Sequence, residues 1–224
     1  MLNRLKAFLL PIMERITYLY RRPKAWKAPE GLFGDRTNVA GVFETIYRKS
    51  VWASGSGGGS NPEFVKTYVS YVQTFLKQYS IRSVVDLGCG DWRFSRLIDW
   101  DGIKYVGIDV VNSVIEANKQ KYQSSNVDFF KANILDQPES IPGADLLLIK
   151  DVLQHLSNTN VSRILSVANR YKYVLITNDF ASKNIDCNNG DTRPIDISKA
   201  PFNCSNAKPA LRFYGKVVFL LRNE

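Results

Sequence analysis

Two carboxylates and two glycines at a fixed spacing define the chemistry open to this chain. An apolar run, Ser83, Val84 and Val85, reaches Asp86 and Leu87, turns through Gly88, Cys89 and Gly90, and continues into Asp91 and Trp92. A second apolar run, Val106, Gly107 and Ile108, ends in Asp109, 23 residues after Asp86. A buried strand emptying into a glycine turn lets a ligand approach bare backbone, because glycine takes up positive φ with no side chain in the way. A helix beginning at Trp92 would add free N–H groups. The acid that closes the second run can accept hydrogen bonds from the paired hydroxyls of a ribose. A dinucleotide site would place a third glycine two or three residues on, to seat a helix under a pyrophosphate. Trp92 and Arg93 stand there instead. A nucleoside without phosphates is the better match.

A second group of reactive side chains lies downstream. His155, the only histidine, follows Asp151 by four residues. In a helical turn the two would share a face, with Asp151 orienting the ring or touching substrate. A histidine near neutral pKa suits removal of a proton from a hydroxyl, and a packing role is the plainer alternative. Later, Asn178, Asp179, Asp191, Arg193 and Asp196 gather polar groups. Arg193 together with Lys150 would grip a carboxylate, phosphate or sugar acid, and Asp179 would stand beside the same substrate. Solvated loop charge is the commoner explanation of such a group. Cys187, Cys204, His155 and Asp191 lack the ligand spacing of a metal site, so no metal is expected.

These residues need a scaffold, and the hydrophobic pattern supplies one. Continuous apolar runs near 82–87, 104–108, 127–130, 145–149 and 173–177 read as strands. They alternate with helical patterns near 92–99, 112–122 and 158–170, and with a short turn near 151–156. Asn112 and Ser157 are the expected caps. Asn61 and Pro62 open a further helix reaching Tyr79. Strands of this kind separated by helices imply an α/β, doubly wound, mostly parallel sheet of about seven strands, covered on both faces. Residues 212–221 read as a closing strand with a hairpin around Gly215. The irregular stretch before it, which holds Pro194, Pro201 and Pro209, suits a substrate lid.

Composition narrows the function classes. Of the net charge of +9, residues 1–27 carry +6, leaving only +3 for the other 197 residues. The basicity therefore belongs to a tail, and nucleic acid is not the expected partner of the main domain. In that tail Leu2, Leu5, Leu9, Ile12, Ile16 and Leu19 recur at helical spacing, interrupted by Pro11. A helix packed on the domain or a partner, a peripheral anchor on a membrane surface, and an organelle-targeting peptide all fit it. The chain divides into a basic amphipathic extension and connector, residues 1–38, and a domain over 39–224. Three widely spaced cysteines, Cys89, Cys187 and Cys204, argue against a disulfide framework and for a reducing cytoplasm, with peripheral attachment to the inner membrane face as an option.

Over roughly residues 80–180 the sequence resembles the class I methyltransferases that use S-adenosylmethionine (SAM), with a likeness to a bacterial subgroup of poorly defined substrate. The resemblance implies a Rossmann-like fold and SAM as cofactor. By it, Asp86, Gly88 and Gly90 lie along the methionine part of SAM, Asp109 binds the ribose and Val110 flanks the adenine. The loop holding Asn133 and Ile134 meets the adenine amino group, with Asn133 where relatives usually carry Asp. The strand ending in Lys150 and Asp151 faces both cofactor and substrate, and Trp52, Ser56 and Gly57 close over the cofactor. The implied reaction is methyl transfer to an oxygen, or second to a nitrogen, of a small-molecule or sugar-containing acceptor, with His155 and Asp151 as catalytic residues. An RNA methyltransferase and a non-catalytic SAM-binding, membrane-associated partner are the competing readings. Oligomeric state is not encoded in any motif.

Overall fold

The computed structural model describes residues 25–52 and 55–223. The predicted amphipathic helix of the basic tail lies outside them. Seven strands form one sheet: β1 Ser83–Leu87, β2 Lys104–Asp109, β3 Val127–Lys131, β4 Leu146–Lys150, β5 Tyr173–Asp179, β6 Lys208–Phe213 and β7 Lys216–Arg222. Their order is β3-β2-β1-β4-β5-β7-β6. The first five run parallel, and β7 is antiparallel to both β5 and β6. The order in which strands are added reverses between β1 and β4, which opens a crevice at the carboxyl ends of those strands where such sheets bind ligands.

Each strand shows its two sides to different layers. Val85, Leu87, Leu147, Ile149 and Ile176 face a core shared with α4, Asn158–Ala168. Val84, Tyr105, Leu146, Leu148 and Leu175 face α2, Pro62–Gln78, and the first turns of α3, Asn112–Tyr122. This double burial explains the unbroken apolar runs that make the strands legible. One further helix, α1, Val39–Arg48, is capped by the Asn38 side chain on Gly41 N–H. It lies above the carboxyl ends of the strands.

Three expectations fail locally. Residues 92–99 form no α-helix, only a short 3₁₀ turn at Ser95–Leu97. Trp92 sits at φ +55° and its ring packs among Tyr105, Tyr122 and Phe129, so aromatic packing replaces helical hydrogen bonding in this stretch. Asn112 does not cap α3. Val111 holds the cap position and its N–H is taken by the Asp109 carboxylate at 3.0 Å. The irregular stretch 180–207 is indeed without helix or strand, yet it is no lid over the crevice. Ile195, Ile197, Asp191 and Arg193 are all buried. It is pinned to residues 25–36, and Trp26 exchanges two backbone hydrogen bonds with Thr192, both 2.8 Å. The described part of the expected connector therefore packs on the domain.

Candidate active site

The crevice is walled by the glycine turn, the ends of β2 and β4, the loop after β3, α1 and residues 52–60, and encloses about 810 Å³ including its open mouth. Gly88 and Gly90 both have positive φ, +74° and +55°. A Cβ on Gly88 would meet Val152 Cγ2 at 2.4 Å, and one on Gly90 would meet Ser56 Oγ at 2.1 Å. Bare backbone is therefore required at both positions. Gly88 N–H and Cys89 N–H donate to the Ile108 carbonyl, tying the turn to the neighbouring strand.

Asp109 stands beside the turn. Gly90 N–H donates to its Oδ2 at 3.1 Å and Val111 N–H to its Oδ1 at 3.0 Å. Burial raises its pKa, the backbone donors oppose that rise, and the carboxyl ends at about 6. It is ionised at pH 7, and each oxygen keeps a lone pair to offer a hydroxyl. Val110, Asn133 and Ile134 form the adjoining wall. The Asn133 side chain accepts from Leu135 N–H and donates to Asp136, which fixes its amide with the oxygen still able to accept once more.

At the other end, Lys150 is buried. Its Nζ donates to the Gly59 carbonyl at 2.8 Å and to Asp151 Oδ2 at 2.6 Å, and lies over the Phe94 ring. The other Asp151 oxygen receives Lys216 Nζ at 2.7 Å, and Lys216 also reaches Asp179 at 2.7 Å. Burial works against ionisation of Asp151, but the two ammonium groups overcome it and hold the carboxyl at about 2. Asp151 itself sits at φ +58°. His155 ends a 3₁₀ turn, Leu153–His155, with its ring 4.7 Å from Trp52. Burial lowers its pKa, so the ring is neutral at pH 7.

The segment expected to close over the cofactor is tied to the glycine turn and to α1. Ser56 Oγ donates to Asp91 Oδ1, accepts from Asp91 N–H and is bonded to the Tyr47 hydroxyl. Trp52 and Ser56 line the crevice, whereas Gly57, at φ +81°, is not part of the wall, and a Cβ there would lie 3.5 Å from Trp52 Cβ. The Trp52 indole N–H is buried without a partner among the described residues.

Three further expected site residues, Asp86, Arg193 and Asp179, are placed elsewhere, and Asp151, although in the wall, does not have the orienting role expected of it. Asp86 points to the opposite face, where its carboxylate accepts from Ser95 Oγ at 3.0 Å and the Tyr105 hydroxyl at 2.6 Å, so it stiffens the base of the turn. Asp151 does not orient His155, because both its oxygens are held by lysines. Arg193 is buried and donates to the Leu156 carbonyl and Asn158 Oδ1, so it holds the start of α4 and is not part of the crevice wall. Asp179 lies behind Asp151, paired with Lys216, and is likewise outside the wall. Val39, Phe43 and Tyr47 of α1 do line the crevice, and the apolar run around Val42 was the available signal for them. Lys216 had no local signal.

Known proteins share this architecture. Residues 84–171 match the methyltransferase domain family. Residues 84–171 form a class I, SAM-dependent methyltransferase domain. The fold is that of the magnesium protoporphyrin IX methyltransferase of Synechocystis, crystallised with SAM, at 16% identity and a TM-score of 0.57. That match covers 88% of this chain and 100% of that one. Human N-acetylserotonin methyltransferase, also solved with SAM, is 16% identical with a TM-score of 0.56, covering 81% of this chain and 59% of that one. The methyltransferase domain of a bacterial Hen1 (CtHen1-CN) is 16% identical with a TM-score of 0.53, covering 69% and 97%. No curated protein matches the chain by sequence. The cofactor of this methyltransferase domain is SAM, and the crevice fits it. Two glycines that tolerate no Cβ make a cradle for a chain-like ligand, an ionised acid stands where a ribose needs an acceptor, and a buried indole N–H is free to donate. Among the described residues no helix is long and apolar enough to cross a membrane.

Proposed function

We propose that the domain transfers the methyl group of SAM to a hydroxyl oxygen of a small-molecule or sugar-containing acceptor, with His155 as the base. The observation that carries this reading is a neutral, buried imidazole in the wall of the crevice that also holds the glycine turn and Asp109. When bound, SAM supplies a methyl group already activated by a sulfonium, so the protein has mainly to align a nucleophile with it. Gly88 and Gly90 give the cofactor backbone to lie against, Asp109 takes its ribose hydroxyls, and Val110 and Ile134 flank its base. Asn133 accepts from the exocyclic amine. Lys150 and Asp151 close the methionine end, and Trp52 and Ser56 cover it.

His155 has an uncharged ring nitrogen to take the hydroxyl proton as the oxygen gains its methyl group, then releases that proton to solvent. An amine acceptor would need less help from a base, which is why oxygen is preferred over nitrogen. The near-neutral domain surface gives no support to an RNA acceptor.

The test is methyl transfer from SAM with a labelled methyl group to a panel of phenols, carboxylic acids and sugars, together with calorimetric titration of SAM. His155→Ala is expected to lower turnover on the methylated acceptor at least about tenfold, within the range for loss of a general base, while SAM affinity changes less than about twofold. Unimpaired turnover removes His155 from the mechanism.

A further inference from the structure

The Nδ1 side of the His155 ring is held by the segment that meets residues 25–36. Its Nδ1 lies 3.1 Å from the Asp191 carbonyl oxygen and 3.1 Å from Thr192 Oγ1. The His155 carbonyl accepts from Gly190 N–H at 2.8 Å. A carbonyl oxygen can only accept, so this contact requires the proton on Nδ1 and leaves the lone pair on Nε2. The neighbour of Nε2 agrees. Gln154 Oε1 is engaged by Asp179 N–H, which turns the Gln154 amide nitrogen, a donor, toward Nε2 at 3.5 Å.

What fixes residues 190–192 is a clamp from far away in sequence. Asp191 is 3% exposed, and its Oδ1 accepts from the Arg36 guanidinium at 2.8 Å and from Ala28 N–H at 2.9 Å. Thr192 is paired through its backbone with Trp26. Asn189 donates to the Arg36 carbonyl at 2.7 Å, and the Phe33 ring packs against Gly190. An almost fully buried carboxylate with one guanidinium partner is held firmly, because releasing the partner leaves an uncompensated charge in a dry site.

We propose that Arg36 and Asp191 are positioning residues that act through the Asp191 carbonyl to keep His155 in the Nδ1–H form, with the basic lone pair on Nε2 and the Gln154 amide as its neighbour. The proposal rests on the role assigned to His155 above, yet it concerns the state of the ring and can be tested without an acceptor. In the full chain labelled with ¹⁵N-histidine, the single histidine gives one pair of ring nitrogens. Nδ1 is expected to be the protonated one, with and without SAM. Arg36→Met should shift the tautomer ratio toward Nε2–H by about fivefold, the worth of one neutral hydrogen bond. Arg36→Lys should restore most of it. Thr192→Val keeps the clamp and the carbonyl, and should leave the ratio within about twofold; it also provides a folded reference should Arg36→Met unfold. A wild-type ring protonated at Nε2, or an Arg36→Met chain with an unchanged ratio, overturns the proposal. A His155→Ala chain that retains turnover overturns the function of the ring and leaves the clamp standing, so the two failures are distinguishable.

Discussion

Gly90 is the residue where a side chain and the 52–60 segment would compete for the same space. Its φ of +55° disfavours any side chain, and a Cβ would fall 2.1 Å from Ser56 Oγ. The methyl of Gly90→Ala can be accommodated only by pushing residue 56 away from Asp91 and Tyr47, which dismantles the cover of the crevice. Overpacking and strain together amount to about 2 kcal/mol or more. Calorimetry is expected to show SAM binding weakened at least about tenfold, since every 1.4 kcal/mol is one decade of affinity. Unchanged affinity would show that the turn has another way to admit the cofactor. At this scale glycines and strand-end acids are legible in sequence because few other residues can do their work. Asp86 is the instructive miss. Val84 faces α2, so period-two alternation sends Asp86 to the same side, away from the crevice. The family resemblance placed it with the ligand, and alternation would have corrected it.

Among the elements, the five parallel strands were legible to within a residue or two, because burial on both faces leaves unbroken apolar runs. The stretch 92–99 was not, since its apolar residues are spaced for aromatic packing under the glycine turn and happen to mimic a helix. Nor could sequence reveal that β4, β5 and β7 are tied at one end by charge. Lys150 ends β4 and Asp151 follows it, Asp179 ends β5 and Lys216 opens β7, and the three elements meet through two ammoniums and two carboxylates. The contacts join residues up to 65 apart, so no local pattern encodes them. Asp151 is the hub. Asp151→Asn would leave Lys150 buried beside Lys216 with no carboxylate between them. Removing one member of a buried pair destabilises by about 3–5 kcal/mol, and this variant should lower the urea midpoint accordingly. Lys216→Met, which leaves Lys150 paired with Asp151, should fall well short of that loss. Equal losses would show that the pairs act independently of the hub.

For the whole molecule, the two carboxylates of one crevice pull stability in opposite directions with pH. Asp151, held at about 2 against an ordinary 3.8, favours the fold above pH 3.8 and loses that contribution as pH falls toward 2. Asp109, raised from 3.8 to about 6, does the reverse. Between those values the folded chain binds the proton more tightly than the unfolded chain, so stability drops as pH rises through the interval and stays lower above it. The gap corresponds to about 3 kcal/mol. That penalty is the consequence of keeping an ionised acid buried at the end of β2. Asp109→Asn removes the charge but turns an amide nitrogen toward one of two backbone N–H groups, which returns about 1 kcal/mol of the gain. Urea unfolding of the ligand-free chain should therefore find the variant about 2 kcal/mol more stable at pH 7.5 and no more stable at pH 4. SAM should stabilise the wild-type chain strongly and the variant hardly at all, because linkage gives stability only in proportion to binding. Wild-type affinity for SAM should itself weaken as pH falls below about 6, when the acid that faces the ribose takes up its proton. A variant equally stable at both pH values, with affinity independent of pH, would mean that the ribose is held by other groups.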